Sequence, residues 1–378
     1  MTKKIHIGWM ALLTLLAGSA CTPVAQPLGV VTLDFSTIQP QTRATTPGDG
    51  DPVDGGGIVE ISSGVPDLRI WIVNNDGDVV ATYPGPRGQV ISGSVSSTKA
   101  SIQFNGTGTG ETPIPWTPGA TFTVYAFANT APSGGNLSDF VLPSEGHPGQ
   151  YEPADLDAIS TANQLEALTF SALTNDNLPD VGDRMPLSAK GTLTINSNRN
   201  GNVDLELIRC LAKVSILFKN ITGGALSLQD CNITLQDMNP TSAYLFPPAA
   251  TDWTGSYRTL TIGQTAELQI ADTGTYTTQV GEDVLVFPSV FDPAHARYTC
   301  DVAFKVTRLG DDTTIRDYTG ENRFKDLPVH NRDSQDIPAL CRNQHLKIEI
   351  RIGNANDISF NFVVSDWDVK HTETLTFD

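Results

Sequence analysis

Cys21 closes the run Gly18-Ser19-Ala20-Cys21, small residues ending in a thiol, behind a basic pair, Lys3-Lys4, and an apolar stretch from Trp9 to Ala17. That order is the pattern of an export signal, because the apolar stretch is too short for a comfortable transmembrane helix. The chemistry expected at Cys21 is the transfer of a diacylglycerol to the thiol, as at a lipobox, after which the cysteine becomes the first residue. Gly18 stands where a lipobox carries Leu, and an ordinary signal-peptidase cut after Ala20 obeys the same small-x-small rule, so both outcomes stay open. A second reactive point is the bond between Arg43 and Ala44. It precedes PGDGDPVDGGG, a Gly/Pro/Asp stretch that cannot pack and leaves Arg43 open to a protease.

The remaining cysteines, Cys210, Cys231, Cys300 and Cys341, fall in the second half of the chain without CxxC spacing, which argues against a zinc site. In an oxidising compartment they could pair in any of three connectivities, and they could equally be buried as small hydrophobes. His147, His295, His330, His345 and His371 lie in separate segments, so each reads as a surface or turn residue rather than a ligand. There is no GxSxG, no HExxH and no P-loop. Asp49, Asp51, Asp54 and Glu60 only partly follow a calcium loop, because Val53 and Asp54 occupy positions that need a ligand and a glycine. No catalytic residue, metal or cofactor is expected, and the chain is not expected to be an enzyme.

The elements that must position these points are strands. Of 378 residues 39% are hydrophobic and only 17% charged, which is enough apolar residue for roughly two domains of ordinary size. The formal charge of −18, with no basic cluster beyond Lys3-Lys4, excludes nucleic acid and anionic lipid as electrostatic partners. Val30 to Phe35 alternates as a short strand carrying Val31, Leu33 and Phe35 on one face. Leu68 to Val73 and Val79 to Tyr83 flank Asp76-Gly77, a type I′ hairpin signal. Ile91 to Val95, Ser101 to Phe104, Thr121 to Ala128 and Gly191 to Ile195 add further strands. Ala154 to Leu173 is the one helical stretch.

At mid-chain, Val203 to Asn220 reads as one strand that opens a second domain after the turn from Asn196 to Asn202, with Leu211, Val214 and Ile216 in its core and Cys210 near another strand of that domain. The charged stretch from Asp311 to Asp336 reads as irregular, and His345 to Ile352 and Ile358 to Val364 as the last two strands. The expected division is therefore an export signal over 1–20, a leader and linker over 21–57, and β-sandwiches over 58–202 and 203–378, an all-β chain.

Several of these landmarks, in their order, resemble the fimbrillin family, the subunits of type V pili of Gram-negative anaerobes related to Bacteroides. They are the signal, Thr42-Arg43-Ala44, LRIWIVNNDGDVV, FTVYAFANT, DLDAIST followed by Arg184-Met185-Pro186, LIRCLAKVSILF, NQHLKIEIRI and FVVSDWDV. The resemblance implies two tandem transthyretin-like β-sandwiches, passage to the outer membrane as a lipoprotein, and cleavage after an Arg in the leader by a trypsin-like protease. It further implies that removal of the leader strand opens a groove for a strand of a neighbouring pilus subunit. On this chain the cut falls after Arg43, the removed strand is Val30 to Phe35, and the donor is the segment from Ile358 to Phe377.

Within that segment Ile358, Phe360, Phe362 and Val364 alternate, as do Leu375 and Phe377. Burying four such side chains is worth about 6–12 kcal/mol before entropy. The competing reading of Ile358 onward is the last hairpin of its own domain, since sequential strands usually pair. A different function, a cell-surface glycan-binding lipoprotein, would show exposed aromatics; Trp71 and Trp367 sit in strand-like runs, whereas Trp116, between prolines, and Trp253 are the candidates.

Overall fold

The computed structural model describes residues 30–37, 67–84, 89–95, 99–105, 116–129, 141–144, 151–171, 186–240, 242–246, 257–264, 266–276, 278–281, 283–290, 299–309, 311–330, 337, 339–354 and 357–366. In chain order the first half forms β1 (Val30–Thr37), β2 (Leu68–Val73), β3 (Val79–Tyr83), β4 (Gln89–Val95), β5 (Lys99–Asn105), β6 (Thr121–Ala128), the short β7 (Val141–Pro143) and β8 (Tyr151–Pro153), helix α1 (Ala162–Ala167), β9 (Thr169–Ser171), β10 (Leu187–Thr194) and β11 (Gly201–Arg209). Eight of these strands hydrogen-bond in the order β3-β2-β6-β10-β11-β1-β5-β4.

That path is folded. β6 and β10 pair along their whole length, but β10 meets β11 only at Leu187–Arg209 and Ser188–Ile208. Beyond those rungs the two strands diverge, and β3-β2-β6-β10 comes to face β11-β1-β5-β4 across one apolar core, a sandwich. Alternation supplies that core: Ile70, Ile72, Val124 and Leu193 from one layer meet Val31, Leu33, Phe35, Ile102 and Phe104 from the other.

Where the layers part, a Cβ on Gly191 would stand 2.3 Å from Cδ2 of Leu205, so any side chain there would have to displace Leu205 from its place in the core. Gly191→Val is expected to cost about 1–3 kcal/mol, seen as a lower urea midpoint at an unchanged m-value.

The second half forms β12 (Ala212–Asn220), β13 (Leu226–Pro240), β14 (Ser242–Tyr244), β15 (Tyr257–Gln264), β16 (Leu268–Ile270), β17 (Thr278–Gln279), β18 (Val284–Val286), β19 (Ser289–Val290), β20 (Thr299–Arg308), β21 (Asp311–Tyr318), β22 (Phe324–Pro328), β23 (Ala339–Leu340), β24 (Gln344–Ile352) and β25 (Ile358–Asp366). One sheet runs β17-β12-β24-β25 with β18 beside β12. The other runs β15-β13-β20-β21 with β16 and β22 at its margins. They enclose a core of Val214, Ile216, Phe218, Ile233, Val302, Phe304, Ile348 and Ile350, in which Phe218 and Phe304 meet edge-on at 5.5 Å.

The halves are tied together. β14 pairs with β9 in a four-stranded sheet, β14-β9-β7-β8, and Trp71, Tyr125, Phe127, Leu165, Leu211, Phe246 and Phe287 share a third apolar cluster. At the same junction Ser188 Oγ donates to the Leu245 carbonyl at 2.7 Å, and Arg342 donates to Ser188 Oγ at 2.6 Å.

Several expectations need correction. The run from Val203 to Asn220 is two strands that change partners at Cys210-Leu211: β11 stays with β1 and β10, while β12 joins β24. The turn from Asn196 onward leads into β11, which begins at Gly201. Leu211, Val214 and Ile216 are buried as expected, but Cys210 lies beside Ser188 of β10, in the first sheet. The helical stretch shrinks to Ala162–Ala167, because Thr161 and Gln164 form a capping box that starts it there and the chain is already extended at Leu168. In the β2–β3 hairpin only Gly77 takes positive φ, and its N–H bonds back to Asn74. This is a type I turn with a glycine bulge, and the register shifts between Ile72 and Val73. Asp311 to Asp336, read as irregular, holds β21 and β22.

Candidate functional site

β1 sits inside its layer with a ladder on each side. It runs parallel to β11, from Val31 opposite Gly201 to Thr37 opposite Leu207, and antiparallel to β5, from Val30 opposite Asn105 to Ser36 opposite Lys99. Val31 and Leu33 are 0% exposed and Phe35 is 2% exposed. Asn200 closes the end of the ladder by accepting the Val30 N–H at 2.9 Å. The three apolar side chains contribute about 4.5–9 kcal/mol before entropy.

The strand order gives this placement its consequence. Through the sheet, β5 and β4 reach β11 by way of β1. Lifting β1 out would leave β5 and β11 as two rails roughly 10 Å apart, with unpaired backbone groups over an apolar floor. Such a groove is a template for another strand. The expected strand residues Val31, Leu33 and Phe35 are therefore brought together in one slot. Cys21, Arg43 and Ala44 lie outside the described residues.

The donor candidates divide. Ile358, Phe360, Phe362 and Val364 belong to β25, which pairs with β24 over its full length and packs on the second core, Phe362 at 3% exposure. In this chain they form the last hairpin, the competing reading of the segment from Ile358 onward. Leu375 and Phe377 lie outside the described residues. The four cysteines are free thiols, Cys210, Cys231 and Cys300 buried and Cys341 exposed. Burial pushes Cys231 and Cys300 up to about 12, so they stay protonated and serve as packing groups.

Of the aromatics proposed for a glycan platform, Trp116 is buried, meeting Phe122 edge-on at 5.2 Å. Pro118 stands in the turn that follows, closed by the Ala120 N–H to the Thr117 carbonyl, and the indole is tucked inward. Trp71 is in the core as expected, and Trp253 and Trp367 lie outside the described residues.

Sequence reasoning missed one polar cluster. His345, read as a surface or turn residue, is buried, and its Nε2 lies 2.5 Å from Ser215 Oγ, which in turn lies 2.5 Å from Asp283 Oδ1. Asp283 also takes Lys213 Nζ at 2.9 Å and Gln279 Nε2 at 2.7 Å. The three residue types are those of a hydrolase triad, but the order of bonds is not. Ser215 gives its one proton to Asp283, so His345 donates to Ser215 and cannot act as its base. Alternation along β12 puts Lys213 and Ser215 on one face, but their partners lie far off in sequence, so no local signal marks the cluster.

Burial, with Lys213 next in effect, pushes the His345 ring down to about 3. In Asp283 burial raises the carboxyl, and Lys213 and Ser215 outweigh it to hold it below the usual carboxylate range. Both groups therefore bind protons more weakly in the folded chain. Stability is full above pH ~6.5, falls as the unfolded His345 protonates at up to about 1.4 kcal/mol per pH unit, and falls further once Asp283 is reached. His345→Gln, which can still donate to Ser215, is expected to flatten the melting temperature between pH 7 and pH 4.5 relative to the wild-type chain.

Comparison with known proteins places the chain. A family model for fimbrillin-A associated anchor proteins Mfa1 and Mfa2 matches residues 65–373. Among solved structures, a fimbrilin (fimA) from Porphyromonas gingivalis W83 is 14% identical with a TM-score of 0.50, covering 89% of this chain and 97% of that one. A candidate cell adhesion protein from Bacteroides eggerthii DSM 20697 is 14% identical at the same TM-score of 0.50, covering 90% of this chain and 96% of that one. These likenesses show the fold. No curated protein matches.

Proposed function

Because this chain belongs to the family of fimbrillin-A associated anchor proteins Mfa1 and Mfa2, fimbrial structural and adhesion proteins rather than enzymes, we propose that it is a pilus subunit built to exchange its N-terminal strand. The chain is exported as a lipoprotein, acylated at Cys21 and held at the outer membrane. A trypsin-like protease cuts between Arg43 and Ala44. The strand carrying Val31, Leu33 and Phe35 then leaves, and a C-terminal strand of another subunit takes its place between β5 and β11.

The observation that carries this reading is the placement of β1. A strand 170 residues from its end-capping Asn200 fills the middle of a layer, and the sequence that follows it holds an arginine, Arg43, ahead of a Gly/Pro/Asp-rich stretch. A core strand that a single cut can detach is a poor way to build a static sandwich and a good way to keep a groove filled until assembly. The test is to treat the full chain with a trypsin-like protease and follow it by sizing and negative-stain microscopy. Ordered polymers after clean cutting at Arg43 support the proposal, and intact monomers after the same cut exclude a polymerising role.

A further inference from the structure

The crease of the first sandwich is held from the second half. β10 and β11, one from each layer, share the rungs Leu187–Arg209 and Ser188–Ile208. Residues of the second half take hold of both strands there. Ser188 is 0% exposed: its Oγ gives its one proton to the Leu245 carbonyl and accepts from Arg342 Nη1 at 2.6 Å and from Cys210 Sγ at 3.3 Å, so every bond it can make is made. Arg209, 1% exposed, donates from Nη1 to Asn343 Oδ1 at 3.0 Å.

Arg342 and Asn343 lie in a turn ahead of β24. Asn343 has a φ of 60°, a left-handed backbone that asparagine tolerates better than most residues, and its N–H donates to the Leu211 carbonyl at 2.8 Å. The Gln344 N–H closes the turn on the Cys341 carbonyl. The ladder of β24 with β12 starts just beyond, at Lys213 opposite His345, so the central strand pair of the second core carries the turn to the crease.

The slot depends on that point because its two rails are not alike. β4 and β5 reach β11 through β1, whereas β11 runs on through Arg209 to the junction and into β12. With β1 gone, the backbone partner left to β11 among the described residues is β10, at the crease. β11 is therefore the fixed rail, and the bonds around Ser188 and Arg209 are what fix it.

We infer, on the reading that β1 leaves and is replaced, that Arg342 and Asn343 are positioning residues of the slot: by pinning the crease from the second half, they hold the β11 rail in place for whichever strand lies beside it. The second half is then part of the acceptor as well as its neighbour.

The pinning is read in the uncut full chain by hydrogen exchange followed by mass spectrometry. Arg342→Met is expected to speed exchange over residues 201–209 by about tenfold or more, because a charge-assisted bond at a buried hydroxyl is lost, while β2 and β3 keep their rates. Arg342→Lys, which can still donate to Ser188, should restore most of the protection. Asn343→Gly keeps the left-handed backbone and removes the acceptor of Arg209; it should act in the same direction, and it decides the question if Arg342→Met does not fold. The control is Ile350→Val, which loosens the second core away from the turn and should leave 201–209 unchanged. In the chain cut after Arg43, the segment bearing Val31, Leu33 and Phe35 should leave about tenfold faster with Arg342→Met and at the wild-type rate with Ile350→Val. Exchange over 201–209 that rises no more with Arg342→Met and Asn343→Gly than with Ile350→Val overturns the assignment, and so does release of the segment at one measurable rate from all of these chains. Faster exchange over 201–209 with a cut segment that stays bound in every chain supports the pinning and removes the strand-exchange reading.

Discussion

Arg43→Ala is expected to stop the full-length chain from polymerising in the presence of a trypsin-like protease, while its urea midpoint stays within about 0.5 kcal/mol of the unsubstituted chain. The reason is topological. β1 occupies the slot between β5 and β11 through residue pairs on both sides, and its attachment to β2 runs through the stretch that contains Arg43. As long as that connection is intact, β1 that leaves the groove is held close by and returns, because a tethered strand competes at a millimolar effective concentration. Cutting turns that intramolecular competitor into a peptide that dilutes away. The measurement is polymer yield by sedimentation after protease treatment. A substituted chain that still polymerises while remaining uncut would show that processing at Arg43 plays no part.

Leu33→Ala has the larger effect on energy and an opposite effect on assembly. Leu33 is fully buried between the layers, so truncation is expected to destabilise the uncut chain by about 2–5 kcal/mol. In the cut chain the same loss falls on the bound segment alone, so its affinity should drop about 30-fold or more, while an incoming strand from another subunit is not altered by the substitution. A destabilised precursor that assembles faster once cut is the signature of an exchangeable strand. If β1 were an ordinary core strand, the substitution would produce unfolding and disordered aggregate, with ordered polymer reduced rather than accelerated.

The local part of this arrangement was legible in the sequence and the long-range part was not. Val31, Leu33 and Phe35 alternate, which is enough to name a strand and its buried face. Nothing local says that the face across from Leu33 is Val203, because that pairing spans most of the first half. The run from Val203 to Asn220 misled for a related reason. Cys210 and Leu211 are buried in a third cluster at the junction, so the change of partner comes without a glycine, proline or asparagine to mark it. Trp116 looked exposed between its prolines, yet a turn that places an indole against Phe122 has the same local composition as one that displays it. His345 had no ligand near it in sequence, and its nearest partner, Ser215, is 130 residues away. Each miss concerns which segment meets which, and that is settled by packing rather than by period.

The central claim, that β1 is removed and its place taken by a strand of another subunit, is tested most directly by the first residue of the protein in fibres purified from the cell surface. The account predicts that fibre subunits begin at Ala44 and that the segment bearing Val31, Leu33 and Phe35 is absent from them by intact mass. Fibres whose subunits begin at Cys21, with that segment present in every copy, would contradict it.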